Sequence, residues 1–298
     1  MKSLPWLVIV MLLVTSCNHP EVEEKVFVPS FTTYKPDSAA TGAPVVKNEI
    51  FYGTLTPVEI CGIFERLGVP YSFATLNPVS NSQMYLSSSK AAMNTGIYGV
   101  DFGYLKLFGV GQEMVDYAVT IRDMSGKLGI PDEYLTNTLK MLQGDIPDPD
   151  TILDFMNNSY LSMEEHLRQS GRESTAGLMV MGGWIEAMYI ATQLVYDPAN
   201  PDPEVVQKIA EQKYTLNSLL SFIKNYYDDP VVVYYSKKLK FLNNHFDSFN
   251  IYFRKGDLEI DTIKKVFRSS GSEMDVTVQT LNNIKDYVAK LRTEVVTP

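Results

Sequence analysis

Between Ala176 and Tyr196 the chain carries 21 consecutive residues with a single charge, Glu186. A helix this apolar has no polar face to turn to water. It must either cross a membrane or lie at the centre of a core with the rest of the chain wrapped around it. Gly177, Gly182, Gly183, Glu186, Thr192 and Gln193 weaken the membrane alternative, because glycines add little apolar surface and a carboxylate is costly in lipid. The expectation is a central buried helix, with amphipathic helices around it.

Such helices are legible on both sides. Thr56-Pro57-Val58-Glu59 is a helix start, with Thr56 as cap, Pro57 at the first helical position and Glu59 reaching back; Gly68 and Pro70 end it. Helices are predicted over 88–108, over 112–128 with Gly129 as terminator, from Pro131 to about 142, and from a cap at Asp148 or Asp150 to before Gly171. Others run from Arg172 or Glu173 to Tyr196, from Pro203 to about 227, from Pro230 to about 249, and from Thr277 to Val295 with Leu281, Ile284, Val288 and Leu291 on one stripe. Alternating strand patterns are almost absent, and at most a short hairpin is expected near 251–276. The fold class is therefore all-α: an array or bundle of about nine helices over residues 50–298.

Two helices stand out because each places one acid in apolar surroundings. Glu186 shares a helical face with Gly182, Gly183, Tyr189, Ile190 and Gln193; Asp101 lies among Ile97, Leu105 and Phe108. Gly96, Gly99 and Gly103 fall within about 60° of one another on the wheel, a flat strip for helix packing. Aligning Asp101 with Glu186 superposes Tyr104 on Tyr189 at an offset of 85 residues, and each acidic helix is followed by three more. A duplicated four-helix, TPR-like unit is one expectation from this. Two roles are open for the acids. Asp101, Tyr104, Glu186, Tyr189 and Gln193 could line a polar pocket for a small ligand, a cation or catalysis. Alternatively the carboxylates pair with Tyr hydroxyls, Arg side chains or helix ends and fix helix register.

Other chemistry is largely excluded. The three histidines are His19, His166 and His245, too few and too scattered for a multi-histidine metal centre. No nucleophile elbow, phosphate loop or His-Glu-x-x-His motif occurs, and neither a metal nor a cofactor is expected. Asp145, Asp148, Asp150 and Asp154 lack the Gly and terminal Glu of an EF-hand loop and read as helix-start residues. Acids outnumber bases 35 to 26, which argues against nucleic acid. Tyr226-Tyr227 and Tyr234-Tyr235 are aromatic clusters that could contact a glycan or an envelope protein.

The first 49 residues differ in character. Lys2, an apolar run from Leu4 to Val14 too short to span a bilayer, and Val14-Thr15-Ser16-Cys17 have the order of a secretory signal. The last four residues resemble the lipobox of bacterial lipoproteins, in which residues 1–16 are removed and the Cys receives diacylglycerol and acyl chains such as palmitate. Loss of Lys2 would take the formal charge from −9 to −10, so an anionic membrane adds no attraction and attachment would come from lipid on Cys17. Residues 17–49, interrupted by Pro20, Pro29, Pro36 and Pro44, read as a flexible tether that could span at most ~100 Å. Within it, Glu21, Glu23 and Glu24 resemble a surface-export signal of Bacteroidota lipoproteins, and Asp37-Ser38-Ala39 resembles their O-glycosylation pattern, with Ser38 as acceptor. With Cys17 lipidated, Cys61 has no intramolecular partner and reads as a buried small hydrophobe.

Gly96-Ile97-Tyr98-Gly99-Val100-Asp101, Gly129-Ile130 and Gly182-Gly183-Trp184-Ile185-Glu186-Ala187-Met188-Tyr189-Ile190-Ala191-Thr192-Gln193 together resemble a family of helical lipoproteins of Bacteroidota of unknown function. The resemblance spans nearly the whole of residues 50–298. It implies an outer-membrane location, on the periplasmic face or the cell surface, and a core arrangement that includes Asp101 and Glu186; it implies no activity. The sequence thus leads to the expectation of a lipid-anchored, non-enzymatic binding or scaffolding module, the alternative being a ligand-binding protein or enzyme built on the two acids.

Overall fold

Proline and glycine punctuate the chain where the helices begin and end. The computed structural model describes residues 64–143, 149–253, 258–261, 266–269 and 272–298. Cys17, Ser38 and Cys61, and with them the signal, the tether and the start of the first predicted helix, lie outside these residues; residues 64–66 are helical. The helices are α1 (Ser88–Leu107), α2 (Gly111–Lys127), α3 (Glu133–Gln143), α4 (Pro149–Gln169), α5 (Glu173–Ile190), α6 (Pro203–Ile223), α7 (Pro230–Asp247) and α8 (Val278–Val296). The all-α class is as the sequence predicts.

Local chemistry accounts for these limits. Asp202 and Asp229 accept hydrogen bonds from the first amides of α6 and α7, whose first residues are Pro203 and Pro230. Ser87 and Thr277 cap α1 and α8 in the same way. Gly109, Gly129 and Gly171 follow α1, α2 and α4 with φ of +64°, +64° and +69°, a left-handed turn that glycine enters without steric cost. Between α7 and α8, β1 (Ile251–Phe253) pairs antiparallel with β4 (Ser272–Met274) and β2 (Leu258–Asp261) with β3 (Val266–Ser269), matching the predicted hairpin.

Two departures from the expected pattern lie close to the centre of the fold. Residues 70–87, which carry no helical period, form 3₁₀ turns at Phe73–Thr75 and Val79–Met84 and are laid as a strap across α1 and α2. The last turn of the apolar helix, Ala191–Val195, widens to a π-helix. There Lys285 Nζ donates to Thr192 O at 2.9 Å and Gln193 Nε2 donates to Lys285 O at 3.1 Å, so α8 takes up polar groups that the widened turn presents.

The centre itself is the crossing of α1 and α5. Every residue of α1 from Ala91 to Leu105 is buried, and so is most of α5 from Ala176 to Ile190. By length and composition Glu173–Val195 could cross a membrane, but here most of it is enclosed by other helices. A Cβ on Gly96 would stand 1.9 Å from Met179 O, and one on Gly182 would stand 1.9 Å from Met93 O. Backbone therefore meets backbone, twice and reciprocally: Gly182 and Met179 each lie 86 residues after Gly96 and Met93. Around this pair, α2 packs on α1, and α4 and α8 each touch both central helices, while α6 and α7 pack on α5.

Candidate functional site

The crossing brings the two acids together. Asp101 from α1 and Glu186 from α5 are both 0 % exposed. Glu186 is held by Arg292 of α8 through two parallel bonds, Nε to Oε2 at 2.9 Å and Nη2 to Oε1 at 3.0 Å. This bidentate fork is the geometry in which a buried carboxylate is best compensated. Burial alone would lower the Arg292 pKa, but the Glu186 carboxylate and its bonds outweigh that and hold the guanidinium charged. Arg292 Nη2 also donates to Thr75 O at 3.1 Å, and its guanidinium lies 4.6 Å from the centre of the Tyr189 ring, a cation–π contact.

Asp101 is treated differently. One oxygen, Oδ2, accepts the backbone N–H of Asn77 at 3.1 Å; the other, Oδ1, receives no donor. Its carboxyl is within hydrogen-bonding reach of Glu186. Burial first, and then the Glu186 charge, push Asp101 well above the usual carboxylate range, against the opposing pull of Arg292 and the Asn77 amide. A proton on Asp101 converts an acceptor without a donor into a donor beside an acceptor.

The strap is tied to this centre by side chains of buried polar residues. Asn77, 0 % exposed, donates through Nδ2 to Asn94 Oδ1 at 3.1 Å and to the Tyr85 hydroxyl at 3.1 Å. Three tyrosines of α1 and α2 donate to strap carbonyls: Tyr104 to Pro70 O at 2.6 Å, Tyr98 to Pro78 O at 3.0 Å and Tyr117 to Asn77 O at 2.9 Å. Burial raises the pKa of all three, so they stay neutral donors. Tyr85 donates to Val296 O at 2.7 Å and Asn94 to Val295 O at 3.2 Å, while Lys90 Nζ reaches Glu294 O at 2.8 Å. The end of α8 is thereby joined to the strap and to the start of α1.

Of the five residues expected around a pocket, Asp101, Glu186 and Tyr189 meet at one place, the last through Arg292. The Tyr104 hydroxyl is engaged by the strap, and the Gln193 amide by α8 at the π turn. Sequence reasoning missed Arg292, Asn77, Asn94 and Lys90. Arg292 follows Leu291 and stands one turn beyond Val288 on the predicted apolar stripe, a position where a cation has to find a buried partner. Among the described residues, no group of three or more His, Cys, Asp or Glu could hold a metal ion. Asp150 and Asp154 lie in α4, whereas Asp145 and Asp148 are outside the described residues.

Fold and site together define an all-α protein with an ion-paired, enclosed polar centre. Comparison of the chain with protein-family models, curated proteins and solved structures finds no match.

Proposed function

We propose that this protein is a lipid-anchored helical module of the bacterial cell envelope, attached to the outer membrane through Cys17, that binds or scaffolds a partner and is not a catalyst. One observation carries the choice of binding over catalysis: Asp101 and Glu186, the strongest catalytic candidates in the sequence, are both 0 % exposed, and Glu186 is fully engaged by Arg292. Acids so enclosed act as structural ties between helices. Support for the anchor comes from the Val14-Thr15-Ser16-Cys17 pattern behind an apolar run.

The surface offers material for a protein or glycan contact. In each predicted tyrosine cluster one ring packs inward and the other faces out. Tyr226 lies edge-on to Phe222 at 5.1 Å and Tyr235 is buried, while Tyr227 and Tyr234 are exposed, beneath Lys240 and Lys238 respectively. Exposed Phe241 continues this aromatic surface along α7.

Cys17→Ser tests the anchor. In the native host the wild type should take up labelled fatty acid and sediment with membranes, and the variant should do neither. A Cys17→Ser protein that still sediments with membranes contradicts the proposal.

A further inference from the structure

We propose that Asp101 and Glu186 hold one proton between them, and that this proton latches the strap of residues 70–87 and the end of α8 onto the central helix pair. The geometry is that of a carboxyl–carboxylate pair. Glu186 already accepts two bonds from the single cation, Arg292. Asp101 Oδ1 is buried without a donor, and its carboxyl lies within reach of Glu186. If both acids were ionised, two negative charges would share one guanidinium at zero exposure. With one proton the site has one anion and one cation, and the proton fills the unmade hydrogen bond.

The other groups facing the pair do not change this count. Tyr98 on α1 and Tyr117 on α2 are neutral and occupied by strap carbonyls, and Tyr104 on α1 likewise. Tyr189 on α5 faces Arg292 with its ring, and the strap offers Asp101 a single amide, that of Asn77. Arg292 on α8 is the one cation at the pair among the described residues. Once the proton leaves, Asp101 has to reach water. The α1–α5 crossing cannot open to admit it, since backbone meets backbone there. The strap can: it consists of short 3₁₀ turns, and Tyr71, Phe73, Met84 and Leu86 along it are exposed. Lifting it breaks the Asn77–Asp101, Arg292–Thr75 and Tyr85–Val296 bonds together, so the end of α8 loses its ties to the strap and keeps those to Asn94 and Lys90 of α1.

The sign is set by linkage. The Asp101 pKa is raised on folding, so its contribution to stability is complete below the unfolded value of 3.8 and is lost as pH rises through the folded value. Asp101→Asn keeps an acceptor for the Asn77 amide and gives a permanent donor towards Glu186. Urea unfolding of both proteins across pH 5–9 should show the wild-type folding equilibrium falling, relative to the variant, by up to about tenfold per pH unit below the folded pKa. Parallel curves overturn the shared proton. Infrared spectra of the folded wild type at neutral pH should contain a protonated-carboxyl band that persists in Glu164→Gln, which removes the half-buried Glu164, the other acid of raised pKa. Absence of that band from the wild type overturns the proposal even if Asp101→Asn fails to fold. Amide exchange, corrected for its intrinsic pH dependence, should accelerate at alkaline pH first in residues 70–87 and at the end of α8. Acceleration spread evenly along the chain overturns the latch.

Discussion

A buried carboxylate survives in a protein only where its charge is compensated on the spot, and Glu186 illustrates how completely that can be done. Arg292 satisfies both of its oxygens, and the remaining Arg292 contacts go to Thr75 O and the Tyr189 ring. Replacing Arg292 by Met keeps much of the side-chain volume and removes the cation. We expect a loss of about 3–5 kcal/mol at pH 7, the usual cost of leaving one member of a buried pair without its partner. The pH dependence comes from Asp101, which loses the opposing pull of Arg292 and favours the neutral form in the fold still more, whereas in the unfolded chain it ionises above about pH 4. Folding of the variant then takes up protons, so its stability should recover as pH falls from 7 towards 5, as urea midpoints at the two values would show. The two acids were legible in the sequence because a lone charge in an apolar helix is conspicuous. Arg292 was not, although it stands on the apolar stripe of its helix, because Lys290 and Glu294 beside it in sequence are ordinary charges, and Asn77 lies in a segment with no periodicity at all. The helix spacing of a sequence shows which side chains turn inward but leaves open which of them meet across a distance of more than a hundred residues.

Helices are the scale at which this sequence is most readable. Aspartate before proline at 202–203 and 229–230, and glycine at 109, 129 and 171, mark ends that local backbone chemistry determines without help from the rest of the fold. The strap and the π turn are the elements without such marks. Their conformations depend on tyrosine hydroxyls, Lys127 and Lys285 arriving from other helices. The glycines inside α1 and α5 have a function of their own, and they separate cleanly by geometry. A methyl group on Gly182 would sit within 3 Å of three backbone atoms of Met93, and one on Gly96 would collide with Met179 O and Gly183 N. Backbone in a crossing cannot step aside, so Gly182→Ala and Gly96→Ala should each cost about 3 kcal/mol or more, at or above the usual range for overpacking. Gly183 is adjacent but differs: its nearest neighbour is Gly96 O at 3.4 Å. The gain of about 1 kcal/mol in helix propensity offsets that tight contact, and Gly183→Ala should stay within about 1 kcal/mol of the wild type. Thermal melting of the three variants distinguishes a backbone crossing from a general dislike of alanine in this helix.

At the scale of the whole molecule, the pairing of α1 with α5 organises everything else, and it is the feature least visible in the sequence. The offset of 85 residues that aligns Asp101 with Glu186 falls one short of the 86 by which the crossing itself relates Gly96 to Gly182 and Met93 to Met179. A side-chain likeness and a packing equivalence thus give different registers for the same pair of helices. Among the described residues, helices α1–α8 also divide evenly about it: α4 closes the first four and α8 the second, and each of these touches both central helices. The dependence on α8 is the sharper, because it brings the only cation at the acid pair among the described residues. It also buries Leu281, Ile284, Val288, Leu291, Val295 and Val296. At ~1.5 kcal/mol or more for each such side chain, this face contributes on the order of 10 kcal/mol, comparable to the ~5–15 kcal/mol by which whole domains are stable. A chain ending at Met274 should therefore keep helical far-ultraviolet dichroism but lose the near-ultraviolet signal of fixed tyrosines. A synthetic peptide of residues 275–298 should restore that signal on mixing. The same peptide with Arg292→Met should bind more weakly by the 3–5 kcal/mol expected for the intact chain, or about a hundred- to several-thousand-fold. Equal restoration by both peptides would show that apolar burial alone holds α8 in place and that the ion pair contributes nothing to its docking.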